Sequence, residues 1–289
     1  MGIIQKFKIK LKKFLKNPYD IFIYMGNKGY LNLLSDYNYL RLMYYSSLKE
    51  PLDLKNPKRF GEKIQWLKIH DKNKDLTMLV DKYEVRKIIA DKLGEDYLIP
   101  MIGLYSSSTD IDWATLPDKF VLKATHGSGS NIICKDKSKL EIVLVEKKIN
   151  GWLKKNWYWY GREWPYKKVK PRIIIEEFMI DKKDSGLTDY KFYCFSGEVK
   201  YCQVIRDRGK NETIDFYDTE WKHMPFNGLR SLPRTSKNYE KPEKYEEMIG
   251  LAQSLSEDYA FVRIDFYLIN NQIYFGEYTF YPTSGFGKF

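Results

Sequence analysis

The stretch from Ala260 to Phe280, AFVRIDFYLINNQIYFGEYTF, constrains the fold of this chain more than any other. Side chains in a strand alternate between the two faces of a sheet, and here apolar and aromatic residues interleave with charged ones on both sides of an Asn-Asn pair. Asparagine tolerates the backbone of a two-residue hairpin turn, so the stretch reads as two antiparallel strands joined at Asn270 and Asn271. Arg263 and Asp265, two apart, then share one face, and Glu277 reaches the same region from the partner strand. Two carboxylates and a guanidinium so placed are either a salt bridge on a solvated face or a site for a cation and an anion together. Mg²⁺ takes hard oxygen ligands, one or two carboxylates with phosphate and water completing its shell. The planar fork of an arginine suits a terminal phosphate. The hairpin alone does not choose between these readings.

Residues 30 to 93 read as helical. RFGEKIQWLKIHD and LTMLVDKYEVRKIIADKLG carry apolar residues every three or four positions, the second as one helix ending at Gly94. From 98 to 134 the texture turns β-rich, with LIPMIGLY, DKFVLKAT and NIICK, and HGSGS between the last two. Helical character returns over 139 to 155, and RIIIEEFMI is an apolar strand ending in two carboxylates. DYKFYCFSGEVKYCQVIRDR reads as a hairpin turned at Ser196 and Gly197, a further hairpin is expected near 214 to 223, and a helix over 243 to 257. No internal repeat appears, and the whole reads as an α+β body.

A lysine at a strand end followed by small residues, Lys123-Ala-Thr-His126-Gly127-Ser128-Gly129-Ser130, has the makings of a phosphate-covering loop. Glycines let backbone amides approach phosphate oxygens, and small hydroxyls add donors. It lacks the Gly-Lys-Ser/Thr ending of a Walker loop, and a glycine-rich hairpin by itself is more often just a turn. Glu176 and Glu177 sit where an apolar strand delivers acids to the edge of the body, in reach of adenine or ribose groups. Lys82 is a surface lysine unless a phosphate lies near it.

The net charge of +11 implies an anionic partner without naming one. With three scattered histidines, His70, His126 and His223, a zinc site is not expected. Three cysteines without close pairing fit buried thiols in a reducing cytoplasm. No spanning helix or signal peptide is evident, so a cytoplasmic location is expected. The opening MGIIQKFKIKLKKFLKNP places apolar residues at helical spacing among lysines. Residues 1–16 then either lie on an anionic membrane face or pack on the body of the protein.

Taken in order, these segments resemble the ATP-grasp superfamily, and within it the TupA-like branch associated with bacterial cell-surface polysaccharides. The resemblance runs from GEKIQWLKIHDKN at 61–73 through PDKFVLKATHGSGSNI, IIIEEFM, DYKFYCFSGEVKYCQ and VRIDFY to GEYTFYPTSGF at 276–286. It implies an ATP-grasp fold over 61–289, with a lid subdomain over about 118–178, a metal and nucleotide subdomain over about 179–289, and a basic helical region over 1–60. The cofactors implied are ATP and Mg²⁺. Lys82 and Lys123 would contact the α- and β-phosphates beneath the Gly127–Ser130 loop, with His126 beside it. Glu176, Glu177, Phe178 and Met179 would cradle adenine and ribose. Asp265 and Glu277 match the metal ligands, and Arg263 the arginine that stabilises the transferred phosphate. Asp189, Lys191 and Arg206 fall near nucleotide and acceptor. Where many such ligases have Glu-x-Asn, this chain has Glu277-Tyr278-Thr279.

The activity the resemblance implies is ligation of a carboxylate, for instance a uronic acid, to an amine through an acylphosphate, in the making of a capsule, O-antigen or teichuronopeptide-like polymer. The rivals are a phosphotransferase or glycosyltransferase of the same pathway, and a basic nucleic-acid-binding module built on WYWYGREW and the positive charge.

Overall fold

Helices fill the first part of the chain in the computed structural model, which describes residues 18–181, 187–207, 211–230, 232–237 and 239–288. The basic stretch over 1–16 lies outside the described residues. In order come α1 (Asp20–Asn27), α2 (Asp36–Leu48) and α3 (Phe60–His70). The start of α3 is fixed by Glu62, whose carboxylate accepts from the amides of Lys58 and Arg59, each at 2.9 Å. The single helix expected up to Gly94 is instead two, α4 (Leu76–Val80) and α5 (Glu84–Leu93). The break falls at Asp81, whose side chain accepts from the Tyr83 amide at 2.9 Å and so competes with the helical ladder.

The first sheet contains β1 (Met101–Tyr105), β2 (Phe120–Ala124), β3 (Asn131–Cys134) and β4 (Ile173–Glu177), in the order β1-β4-β2-β3. It draws β1 from upstream of the 118 boundary expected for the lid. Between β3 and β4 lie α6 (Ile142–Leu153) and α7 (Tyr158–Gly161). Alternation decides its faces: Phe120, Leu122, Ile173 and Ile175 cluster with Val145 and Ile149 of α6. Lys123 and Glu176 therefore emerge on the opposite face.

The second sheet is antiparallel, in the order β7-β6-β5-β8-β9, with β5 (Asp189–Phe195), β6 (Glu198–Arg206), β7 (Thr213–Tyr217), β8 (Phe261–Ile269) and β9 (Gln272–Thr279). The turns fall where the sequence puts them, Ser196-Gly197 and Asn270-Asn271, all four residues having positive φ. One face is covered by α8 (Tyr245–Ser256), whose Tyr245, Met248 and Ala252 join Phe192, Cys202 and Ile264 in the main core. The hairpin expected near 214–223 is reduced on its return arm to a single bridge between Tyr217 and His223. Asp218 accounts for this, because its side chain takes the amides of Glu220 and Lys222 at 3.0 and 2.8 Å and diverts the backbone.

All three cysteines are free and buried, and burial pushes the Cys194 thiol up to about 12. No helix among the described residues is long and apolar enough to cross a membrane.

Candidate nucleotide and metal site

Register on the second sheet brings the expected charges together. Asp265 stands opposite Glu277 and Arg263 opposite Thr279, with a bulge between Asp265 and Phe266 that leaves Gly276 out of the pairing. A Cβ on Gly276 would lie 3.0 Å from the Asp265 carbonyl oxygen, so glycine is what lets the bulge close and turn Glu277 toward Asp265. Arg263 donates from Nε to Asp265 Oδ1 at 2.6 Å and from Nη2 to Asp265 Oδ2 at 2.7 Å. The same Nη2 lies 2.9 Å from Thr279 Oγ1 and 3.3 Å from Glu277 Oε1. Lys191, opposite Asp265 on β5, donates to Asp265 Oδ2 and lies 3.3 Å from Asp189 Oδ1. Arg263, Asp265 and Lys191 are all buried.

Two further lysines arrive from the first sheet and its flank. Lys82 donates to the Gly127 carbonyl at 2.7 Å and sits 3.7 Å from Glu277 Oε2, linking the glycine loop to β9. Its place is set by neighbours in space. Arg172 holds Asp81 at 2.7 Å and Glu84 at 2.8 Å, while the Lys82 amide donates to the Thr125 carbonyl at 3.2 Å. Lys123 pairs with Glu176 at 2.6 Å, and Arg86 pairs with the other oxygen of Glu176 at 3.1 Å. Glu176 thus holds two cations in this state. Glu177 is exposed, and Phe178 and Met179 are half-buried just past β4. There the chain crosses toward the second sheet, and Asn270 Nδ2 donates to the Ile180 carbonyl at 3.2 Å.

The electrostatic result is clearest at Glu277. Burial pushes its carboxyl up, but Lys82, Lys191, Arg263 and Lys123 together outweigh burial and hold it at about 2. The guanidinium of Arg263 is buried, which would lower its pKa, yet Asp265 and its other acidic neighbours raise it well above the ordinary arginine value.

In the glycine loop, Ser128 and Gly129 are exposed and Gly129 has φ of 71°. Gly127 faces Trp157, where an added Cβ would approach the indole to 3.2 Å. The Ser130 carbonyl accepts from the Ala124 amide at 2.9 Å and closes the hairpin. His126 is buried and its Nε2 lies 2.9 Å from the Trp152 carbonyl, so the imidazole anchors the loop to α6.

Arg206 is not brought to these groups. It pairs with Thr213 at the end of β6, beside Val204 and Asp215, and pairing partners share a face, so it lies on the α8 side of the sheet. There its guanidinium stacks 3.7 Å over the Tyr239 ring and stands 4.0 Å from Asp215. Alternation along β6 carried the signal, since Gln203 and Ile205 face Lys191 and Asp189 and Arg206 does not. The residues that sequence reasoning missed are Asp81, Arg86 and Arg172, and also Tyr166, whose phenol is raised by burial and by Glu163 and Glu277. The partners of Asp81, Arg86 and Arg172 are some ninety residues away in the chain, and no local pattern announces such pairs.

The donor chemistry fits Mg²⁺. Asp265 and Glu277 are two hard-oxygen groups in register, and among the described residues no larger cluster of metal-binding side chains forms. Two protein carboxylates leave the remaining positions to phosphate and water, the usual share for this ion.

Two antiparallel sheets, with a glycine loop and lysines at one and a buried arginine with paired carboxylates on the other, make the α+β architecture of an ATP-grasp fold. The family model described as TupA-like ATPgrasp matches residues 62–289, and the chain belongs to that family. Among curated proteins none matches it. Among solved structures it is similar to D-alanine-D-alanine ligase from Bacillus anthracis, at 15% identity and a TM-score of 0.43, over 72% of this chain and 59% of that one. It is also similar to the biotin carboxylase domain of 2-oxoglutarate carboxylase from Hydrogenobacter thermophilus, at 15% identity and a TM-score of 0.44, over 70% of this chain and 40% of that one. A third is D-alanyl-alanine synthetase A from Vibrio cholerae, at 12% identity and a TM-score of 0.39, over 71% of this chain and 57% of that one. The chain spans less than two-thirds of the length of each.

Proposed function

We propose that this protein is an ATP- and Mg²⁺-dependent carboxylate-amine ligase. The observation that supports it best is the meeting of Lys82, Lys123, Lys191 and Arg263 around Glu277 and Asp265. Asp265 and Glu277 would hold Mg²⁺, which when bound supplies charge neutralisation at the phosphates. Lys82 and Lys123 bind the α- and β-phosphates, and the Gly127–Ser130 loop covers them. Phe178, Met179 and Glu177 border the adenine and ribose. Arg263, freed from part of its grip on Asp265, meets the charge that develops on the transferred phosphoryl group.

In that reaction an oxygen of the substrate carboxylate attacks the γ-phosphorus and ADP leaves. The amine nitrogen then attacks the acyl carbon, inorganic phosphate leaves, and the amine proton passes to solvent. Positioning and charge neutralisation suffice for the first step. Membership of the TupA-like family supports an acceptor belonging to a cell-surface polymer, with a uronic acid or amino acid as the carboxylate. Residues 1–16 would then bring the enzyme to the anionic inner face of the membrane, where lipid-linked precursors sit.

The test is acceptor-dependent ADP release across a set of uronic acids, amino acids and amines, with the product identified by mass. An amide product with stoichiometric ADP and phosphate is expected. A phosphorylated product, or none with any acceptor, would overturn the ligase reading.

A further inference from the structure

The segment that follows β9 is held in a way its length does not require. Thr283, Ser284 and Gly285 have φ of 47°, 56° and 66°, a left-handed run that is unfavourable for a β-branched threonine. Such a backbone persists only where its surroundings over-determine it. Here the surroundings are buried and polar. Lys68, on α3, donates to the Ser284 carbonyl and the Gly161 carbonyl at 2.7 Å each, and lies 3.0 Å from Ser284 Oγ. Gln65 adds a second donor to the Ser284 carbonyl at 2.9 Å. Both Lys68 and Gln65 are fully enclosed. On the far side, a Cβ at Gly161 would fall 1.8 Å from Ser284 Oγ, so only glycine admits the serine.

The strand that leads into this clamp needs a second anchor. β9 is the edge of its sheet, paired on one side only to β8, and that pairing is interrupted by the bulge beside Glu277. An edge strand at a bulge has fewer ladder bonds to fix it. Only Phe280 to Thr283 separate Thr279 from the clamped serine, and Phe280 and Tyr281 are buried.

We infer that Lys68, with Ser284 and Gly161, is a positioning residue of the metal site, acting through the Tyr281–Gly285 turn to hold Glu277 and Thr279 against Asp265 and Arg263. The inference rests on the metal reading of Asp265 and Glu277 proposed above. Lys68 touches neither carboxylate, and its effect is carried by the position of β9.

The test uses the full-length protein with Lys68→Met, and with Gly161→Ala, which removes no polar group but displaces Ser284. ATP affinity is measured by calorimetry with Mg²⁺ and with EDTA, and amide hydrogen exchange is followed in the ligand-free protein. Both variants should lose about tenfold or more of the affinity that Mg²⁺ adds, the scale typical of groups that orient metal ligands, with ATP affinity in EDTA little changed. Exchange should quicken at residues 277–280 and stay the same in the other strands. An intact Mg²⁺ gain in both variants overturns the inference, as does a loss of protection spread evenly over the whole chain. If the wild type shows no Mg²⁺ gain, the metal reading itself falls. The clamp is then decided by exchange alone, and unchanged protection at 277–280 in both variants overturns it.

Discussion

Arg263 closes Nε and Nη2 on the two oxygens of Asp265, two residues along the same strand, at 2.6 and 2.7 Å. This bidentate pair is buried, and Lys191 shares the same carboxylate. The carboxylate proposed to take a metal therefore neutralises the cations proposed to take phosphate. Under the proposed function, binding of a magnesium-nucleotide would be an exchange of partners among these groups.

Removing Asp265 has a structural cost as well as a functional one. Asp265→Ala strands a buried guanidinium and ammonium and should lower unfolding free energy by about 3–5 kcal/mol. Asp265→Asn and Glu277→Gln should abolish Mg²⁺-dependent ADP formation, with Glu277→Gln leaving the circular dichroism spectrum close to wild type while lowering the melting temperature at neutral pH through loss of its charge. Unchanged turnover in either variant would remove these residues from the site.

Acid should weaken the fold through Glu277. Its folded-state pKa, about 2, lies below the ordinary carboxyl value, so its contribution is complete near neutrality and is lost as pH falls from about 5 toward 2. A whole proton is worth about 1.4 kcal/mol per pH unit, and the effect here is smaller because the side chain is 32% exposed. Urea unfolding of wild type and Glu277→Gln between pH 5 and pH 2 should show the steeper decline in wild type; parallel curves would contradict the four-cation environment.

Lys68 predicts a slope of the same sign in alkali. Burial lowers its pKa to about 7, with Glu163 and Asp36 pulling the other way, so the unfolded chain binds more protons above that pH. Stability should rise from about pH 7 toward 10 by up to about 1.4 kcal/mol per unit, and Lys68→Met should flatten that rise. Thermal melts across the range would decide it.

The pair of Asp81 and Arg172 sets the place of Lys82. Asp81→Ala should cost on the order of 3 kcal/mol by leaving the arginine with Glu84 alone. It should also raise KM for ATP roughly tenfold through misplacement of Lys82. Loss of stability with an unaltered KM would mean that Lys82 finds its position without this pair.

Arg206 gives a contrast. Since it lies on the α8 side, Arg206→Met should lower the melting temperature by leaving the buried Asp215 with His223 but without the guanidinium, and leave the turnover of the remaining folded protein within about threefold. A fall of a hundredfold at full folding would restore it to the active face.

The strands, their turns at Ser196-Gly197 and Asn270-Asn271, and the sharing of one face by Arg263 and Asp265 were legible in the sequence, because alternation and turn chemistry are local properties of neighbouring residues. The family was legible too, from motifs in order along more than two hundred residues. What only the tertiary structure decided is how those charges are used. Glu176 grips Lys123 and Arg86, His126 anchors a loop, Arg206 turns away, and Asp81, held by Arg172, sets the place of Lys82. A buried ion pair depends on distance and desolvation between residues far apart along the chain, and no local pattern encodes that distance.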